Sequence, residues 1–358
     1  MPITPSKAKI LFLLFLMLFF LSACATPNSA TWSGLYATEE VAYLTTGSYV
    51  YAVDLQSGQE LWHYPEKATA SLQFYAAPLL TSDGQLIIGS AGNDSALISL
   101  DAKSGKERWA TPFRGAKDHW IASPLEWQGG GTLYAPNADG YLYVLDSNGN
   151  LTTSIEIDRR LWAAPVSDGQ YLYLASLDHF LYALNPQTRQ IVWKTNLQGS
   201  IPSHPAVVEK SLFVGSFASR LYAFDLPGGQ KRWEAPTQGW IWGTPLAHGE
   251  NVYIGDLAAQ IYAFRAKDGQ LLWQKSADSP VVAGPMAFGD AIIFVSENGS
   301  IYAYDPQGNL LWRRQIEGKL YTSPATTSKL LLIAPMHANP PLLALDGQGN
   351  TVWTFTPK

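Results

Sequence analysis

One short phrase recurs eight times between positions 51 and 353: an apolar pair, a polar turn closing on glycine, and in most copies a tryptophan. It is clearest in YAVDLQSGQELW (51–62), YAFDLPGGQKRW (222–233) and YAFRAKDGQLLW (262–273). The residues opening the turn are Asp54, Asp101, Asp146, Asn185, Asp225, Arg265, Asp305 and Asp346, spaced by 47, 45, 39, 40, 40, 40 and 41 residues. A period near forty, made of short alternating strands, predicts an all-β, eight-bladed β-propeller of four-stranded antiparallel blades. Each repeat can bury its apolar faces only against its neighbours, so the ring should form one domain over residues 32–358.

Unit five shows the four strands most plainly: HPAVVE (204–209), SLFVGS (211–216), RLYAFD (220–225) and QKRWEA (230–235). Gly, Asp, Asn and Pro at the joints supply tight turns. Units one and two carry extra length near 66–73 and 113–119. The repeated residues read as scaffold. A turn-opening Asp accepts hydrogen bonds from turn N–H groups, and the following Gly tolerates positive φ. Trp62, Trp109, Trp193, Trp233, Trp273, Trp312 and Trp353 are expected on the outer strands, wedged between blades. Ser154 stands where unit three should carry its tryptophan, which makes blade three the least specified.

A second mark is a small pair before proline, as in Ala76-Ala77-Pro78, Ala163-Ala164-Pro165 and Thr322-Ser323-Pro324, with Ser203-His204-Pro205 the odd copy. Small residues suit innermost strands crowding an axis. The eighth inner strand should come from Trp32-Ser33-Gly34-Leu35. The first and last blades would then abut, a strand exchanged between the termini being the alternative.

The N-terminus predicts where the ring resides. Lys7 and Lys9 precede an apolar run over 10–21, too short for a comfortable membrane span but suited to a signal-peptide core, giving a leader of residues 1–23. It ends in Leu21-Ser22-Ala23-Cys24, which resembles a bacterial lipobox and implies that Cys24 is lipidated as the first mature residue. Cys24 is the sole cysteine, so no intrachain disulfide can form. Residues 24–31 would be lipidated Cys and tether, whose seven residues after the Cys reach roughly 25 Å, holding the ring near the membrane. Ala25 after the cysteine implies outer-membrane sorting, facing the periplasm, in a cell with an outer membrane. The mature chain would carry 22 basic and 29 acidic side chains, formally −7, which argues against nucleic acid as a partner.

The unit small-small-Pro … Leu-Tyr-Ala-Leu-Asp … Gly … Trp resembles the repeat of pyrroloquinoline-quinone (PQQ) enzymes and extends over residues 32–357. With the lipobox and short tether, the chain resembles the BamB family of outer-membrane assembly lipoproteins. That resemblance implies a non-enzymatic, monomeric scaffold docking membrane or secreted protein partners outside the cytoplasm, with no cofactor. The rival implication is a PQQ-dependent dehydrogenase, in which quinone and calcium sit at the axis on Glu, Asn and Asp, often against adjacent cysteines. This chain has no cysteine pair and lacks the length for enlarged loops. Its rim acids Asp139, Asp178, Asp256 and Glu297 are scattered one per blade, short of the six to eight oxygens calcium takes. PQQ and calcium are therefore disfavoured. His63, His119, His179, His204, His248 and His337 fall in different units, without zinc-ligand spacing, and no phosphate loop or nucleophile stands out.

Matching offsets point to one candidate site. Three residues before each Pro come Tyr75, Ile121, Trp162, Pro202, Trp242, Val282 and Tyr321; five before come Gln73, His119, Arg160, Ser200, Trp240, Pro280 and Lys319. The intervening residues are mostly apolar (Phe74, Leu161, Ile201, Ile241, Val281, Leu320), consistent with strand alternation. Tyr75, His119, Arg160, Trp162, Trp240, Trp242, Lys319 and Tyr321 are thus expected around one axial mouth. They could plug the channel, or bind a peptide, protein, glycan or small ligand, since Trp, Tyr and Arg are enriched at binding hot spots.

Overall fold

The computed structural model describes residues 32–157 and 160–357; the leader, Cys24 and the tether lie outside the described residues. Eight antiparallel meanders follow one another along the chain, with no helix among the described residues. Seven sheets have four strands. Blade one comprises Gly34–Ala37, Val41–Thr46, Tyr49–Asp54 and Glu60–Tyr64, so its innermost strand does begin beside Trp32. Blade eight comprises Ala325–Thr326, Leu331–Ile333, Leu342–Leu345 and Thr351–Phe355. Each is complete in itself, and no strand is exchanged.

The middle strands read as continuous apolar runs because neighbouring blades cover both of their faces. Leu172–Ala175 and Ala291–Val295 are buried at every position, whereas the outer strand Leu151–Glu156 keeps none. Eight apolar clusters result, each joining two successive blades. Tyr173 and Leu181 of blade four pack with Leu212 and Phe224 of blade five, for example. The cluster of Leu35, Leu44 and Tyr51 with Leu332, Leu342 and Phe355 joins blade one to blade eight and closes the ring.

Blade two departs from the four-strand expectation. It has the regular strands Leu79–Leu80, Gln85–Gly89 and Leu97–Asp101, and its outer edge is reduced to isolated bridges at Glu107 and Phe113.

The repeated tryptophans wedge between blades, and each makes the same two contacts. Its indole N–H donates to a carbonyl in the next blade's turn: Trp62 to Ala102 (3.1 Å), Trp109 to Ser147 (2.9 Å), Trp193 to Pro227 (2.8 Å) and Trp233 to Ala266 (2.9 Å). Trp273 and Trp312 bond Pro306 and Gly347, and Trp353 bonds Leu55 (2.9 Å) across the closing seam. Its ring lies on that turn's positive-φ glycine. A Cβ on Gly58, Gly105, Gly149, Gly229, Gly269, Gly308 or Gly349 would sit 2.4–2.8 Å from indole atoms. The glycine therefore satisfies two constraints, backbone conformation and clearance for the ring.

The pairing register corrects one expectation. In blade seven Trp312 lies opposite Ala303, and the corresponding pair in blade three is Thr153 opposite Val144. Thr153, not Ser154, stands in the tryptophan's place.

Turn aspartates act as expected of them. Asp54 accepts from the Ser57 N–H (2.7 Å), and Asp305 from the Asn309 N–H (2.8 Å). Bonds from Ser57, Ser104, Asn150 and Asn309 side chains, and from the Asn350 backbone, hold Asp54, Asp101, Asp146, Asp305 and Asp346 below the ordinary aspartate pKa. A carboxyl depressed in the folded state contributes stability that is full above its unfolded pKa and lost as pH falls through its folded one. These groups are exposed, so each contributes little and the effect is collective. The thermal midpoint should hold from neutrality to about pH 5 and fall below about pH 4. Circular-dichroism melts showing a constant or rising midpoint under more acid conditions would contradict this account.

Candidate functional site

The axis is crowded enough to need glycine. A Cβ on Gly34 would lie 2.3 Å from the Ala76 carbonyl oxygen, and one on Gly284 would lie 2.6 Å from that of Thr244. The inner strands are stitched together through side chains: the Thr45 hydroxyl donates to Ala76 O (3.0 Å) and accepts from the Gly34 N–H (2.9 Å). Where the small pairs leave room, the channel widens into a cavity of about 530 Å³.

One backbone hydrogen bond repeats around the mouth and fixes equal offsets at equal places. The carbonyls of Gln73, His119, Arg160, Ser200, Trp240 and Pro280 accept from Ala91, Ala138, Leu177, Phe217, Leu257 and Glu297, and Lys319 pairs likewise with Met336. Each donor lies in the loop between a blade's second and third strands. The next residue in every entry segment, Phe74, Trp120, Leu161, Ile201, Ile241, Val281 or Leu320, is buried to 1% exposure or less. The flanking side chains consequently point elsewhere.

Tyr75, Trp162 and Tyr321 line the axial cavity together with Trp32. Tyr75 and Trp162 also meet His119 and Arg160 around an adjoining hollow of about 240 Å³. Lys319 and Tyr321 converge on Glu297: the ammonium lies 2.7 Å from Oε1 and the phenol donates to it at 2.6 Å. These two bonds, the Lys319 one foremost, hold Glu297 below the usual carboxylate range. Trp242 stands edge-on to Trp32 (5.7 Å, 81°), and Trp32 tilts against Tyr321 (6.2 Å).

Trp240 does not reach the axial cavity. It stacks on Phe217 (5.0 Å, 19°), which also touches Trp242 (5.4 Å). A continuous aromatic run results, Tyr321–Trp32–Trp242–Phe217–Trp240, from the axis outward. Trp32 and Trp240 remain 40% and 54% exposed. Phe217 and Trp32 were missed as mouth residues in the sequence, although Phe217 stands in a loop known to share this face.

Deeper in the channel the odd copy Ser203-His204-Pro205 places an imidazole on the wall. His204 keeps accessible surface, which faces the channel. Desolvation there lowers its pKa and keeps the ring neutral. The buried Ser203 Oγ and Trp162 Nε1 have no hydrogen-bond partner among the described residues.

Three of the four rim acids are engaged within their own blades, Glu297 being held from the entry to blade eight. Asp139 accepts from Tyr143 (2.7 Å), Asp178 from Tyr182, and Asp256 from Tyr262 (2.8 Å) and three backbone N–H groups. Among the described residues no three acid, histidine or cysteine side chains converge to hold a cation.

A family model described as the outer membrane protein assembly factor BamB matches residues 26–180, 177–283 and 258–357. The chain belongs to the BamB family. Among solved structures, the crystal structure of BamB from Moraxella catarrhalis is similar with a TM-score of 0.70 at 20% identity, covering 88% of this chain and 91% of that one. The computationally designed Ika8 protein is similar with a TM-score of 0.72 at 14% identity, covering 92% and 98%. At such identities the likeness concerns the fold. No curated protein matches the chain significantly. In this BamB-family ring the recurring Trp, Gly and Asp residues are taken up by the seams and turns, which leaves the mouth as its chemically distinctive face.

Proposed function

We propose that this chain is a non-catalytic scaffold, anchored to a membrane through Cys24, whose mouth face docks protein partners outside the cytoplasm. The family's role, outer membrane protein assembly, supplies the class of partner. The observation that carries the reading is the exposed aromatic run ending in Trp240, mounted on a rigid ring and flanked by the Lys319–Glu297 pair. Aromatic anchors of this kind dominate binding energy at interfaces. A second reading, a small-ligand site inside the channel, is favoured by the unpartnered Ser203 Oγ and Trp162 Nε1.

One experiment separates the two: co-purification from detergent-solubilised membranes of the wild-type chain, Trp240→Ala and Trp162→Ala. Docking on the face predicts that Trp240→Ala weakens partner capture about 30-fold, the loss typical of a hot-spot residue. Trp162→Ala should then leave capture intact. Undiminished capture by Trp240→Ala would remove the docking face, and saturable small-ligand binding lost in Trp162→Ala would establish the second reading.

A further inference from the structure

Seven seams between blades are filled by an indole, and the seam between blades three and four is built differently. Thr153 replaces the tryptophan, and Arg189, at φ 61°, replaces the glycine on which the indole would rest. The two changes belong together, because at the other seams any Cβ on that glycine would collide with the ring. The carbonyl that should receive the indole N–H is that of Pro186, and Tyr134 reaches across to donate its hydroxyl to it at 3.1 Å. No buried polar group is stranded there, and the seam is chemically complete without a tryptophan.

At this seam lies a cavity of about 310 Å³ between the two blades, with Thr132, Asp146 and Thr152 as polar members of its lining. Its blade-three wall includes Val144, the cross-strand partner of Thr153, with Tyr134 and Trp127 in edge-to-face contact (6.4 Å, 74°). Its blade-four wall is the turn of Pro186, Gln187 and Arg189. That volume is at the lower end of the range for small-molecule sites, about 300–1,000 Å³. The walls occupy the positions that hold an indole at every other seam, with a guanidinium now at the lip, where it can lie over an aromatic face.

We infer that this seam is a receptor for an aromatic side chain, a tryptophan above all, presented by another polypeptide. The occupant is argued from the fold's own repetition, since the equivalent space takes indole seven times over. The site lies away from the axial mouth and is independent of the docking face.

The test uses the full chain with N-acetyl-tryptophanamide as probe, read by calorimetry and by NMR. Saturable binding in the millimolar range is expected, with shifts at Val144, Tyr134 and Arg189. The double substitution Thr153→Trp with Arg189→Gly should rebuild the wedge, raise the thermal midpoint and weaken probe binding at least ten-fold. Absence of saturable binding, shifts confined to Tyr75 and Trp162, or undiminished probe binding to the rebuilt seam would overturn the assignment.

Discussion

Trp233→Ala should lower the unfolding free energy by about 3–5 kcal/mol, the usual cost of emptying a large buried aromatic site. The side chain is 9% exposed, donates to Ala266 O at 2.9 Å and packs 5.9 Å from Phe213. Its loss thus opens a cavity between two blades and strands a turn carbonyl. Asp118→Ala, a loop change at the mouth, should stay within about 0.5 kcal/mol. Urea denaturation of the two variants checks this. Equal midpoints would mean that the recurring tryptophans do not hold the blades together.

Gly269→Ala should be nearly as damaging although it adds a single methyl group. At φ 73° an L-residue costs about 1–2 kcal/mol. The new Cβ would also lie 2.7 Å from Cδ2 and Cε3 of Trp233, and overpacking of that kind adds about 1–3 kcal/mol. Both penalties arise at one contact, so the pair forms an informative cycle. Combined with Trp233→Ala, the glycine change should cost only its backbone strain, and the double variant should be more stable than the sum of the single losses predicts. Strict additivity across the four proteins would show that the ring does not rest on that glycine.

The ring and its wedges were legible because they depend on spacing, which repetition exposes. The misplacement of the missing tryptophan at Ser154 is instructive, since the correct position was also within reach. Turns whose glycine comes four residues after the opening residue, as in Asp54–Gly58 or Arg265–Gly269, place the tryptophan at the eighth. Turns with glycine at the third, as in Asp305–Gly308 and Asp346–Gly349, place it at the seventh. Asp146–Gly149 belongs to the short class, which selects Thr153. The short turn is closed by a following Asn, Asn150 bonding Asp146 as Asn309 bonds Asp305.

The aromatic run was legible only in part. Equal offsets named its members Tyr321, Trp242 and Trp240, because the repeated backbone bond between entry loop and hairpin transfers offset into position. The links through Trp32 and Phe217 are not periodic. Trp32 is the first described residue of a unit without the proline mark, and Phe217 has Leu177, Leu257 and Glu297 as its counterparts. Which of these touch depends on the curvature of the closed ring, and no one repeat contains that information.

The chain passes through seven of the junctions between blades; at the remaining one, between blade eight and blade one, it merely meets itself. That junction is held by Trp353 on Gly58, by the Leu55 carbonyl, by Ser328 against Glu39 (2.7–3.2 Å) and by the shared apolar cluster. In topological terms the molecule is a linear array whose ends have been buttoned together. Any opening that keeps every blade intact must part there first, since every other junction is tied by covalent backbone. The buttonhole consequently sets how long the array remains a circle, and with it how long a face assembled from all eight blades exists as one surface.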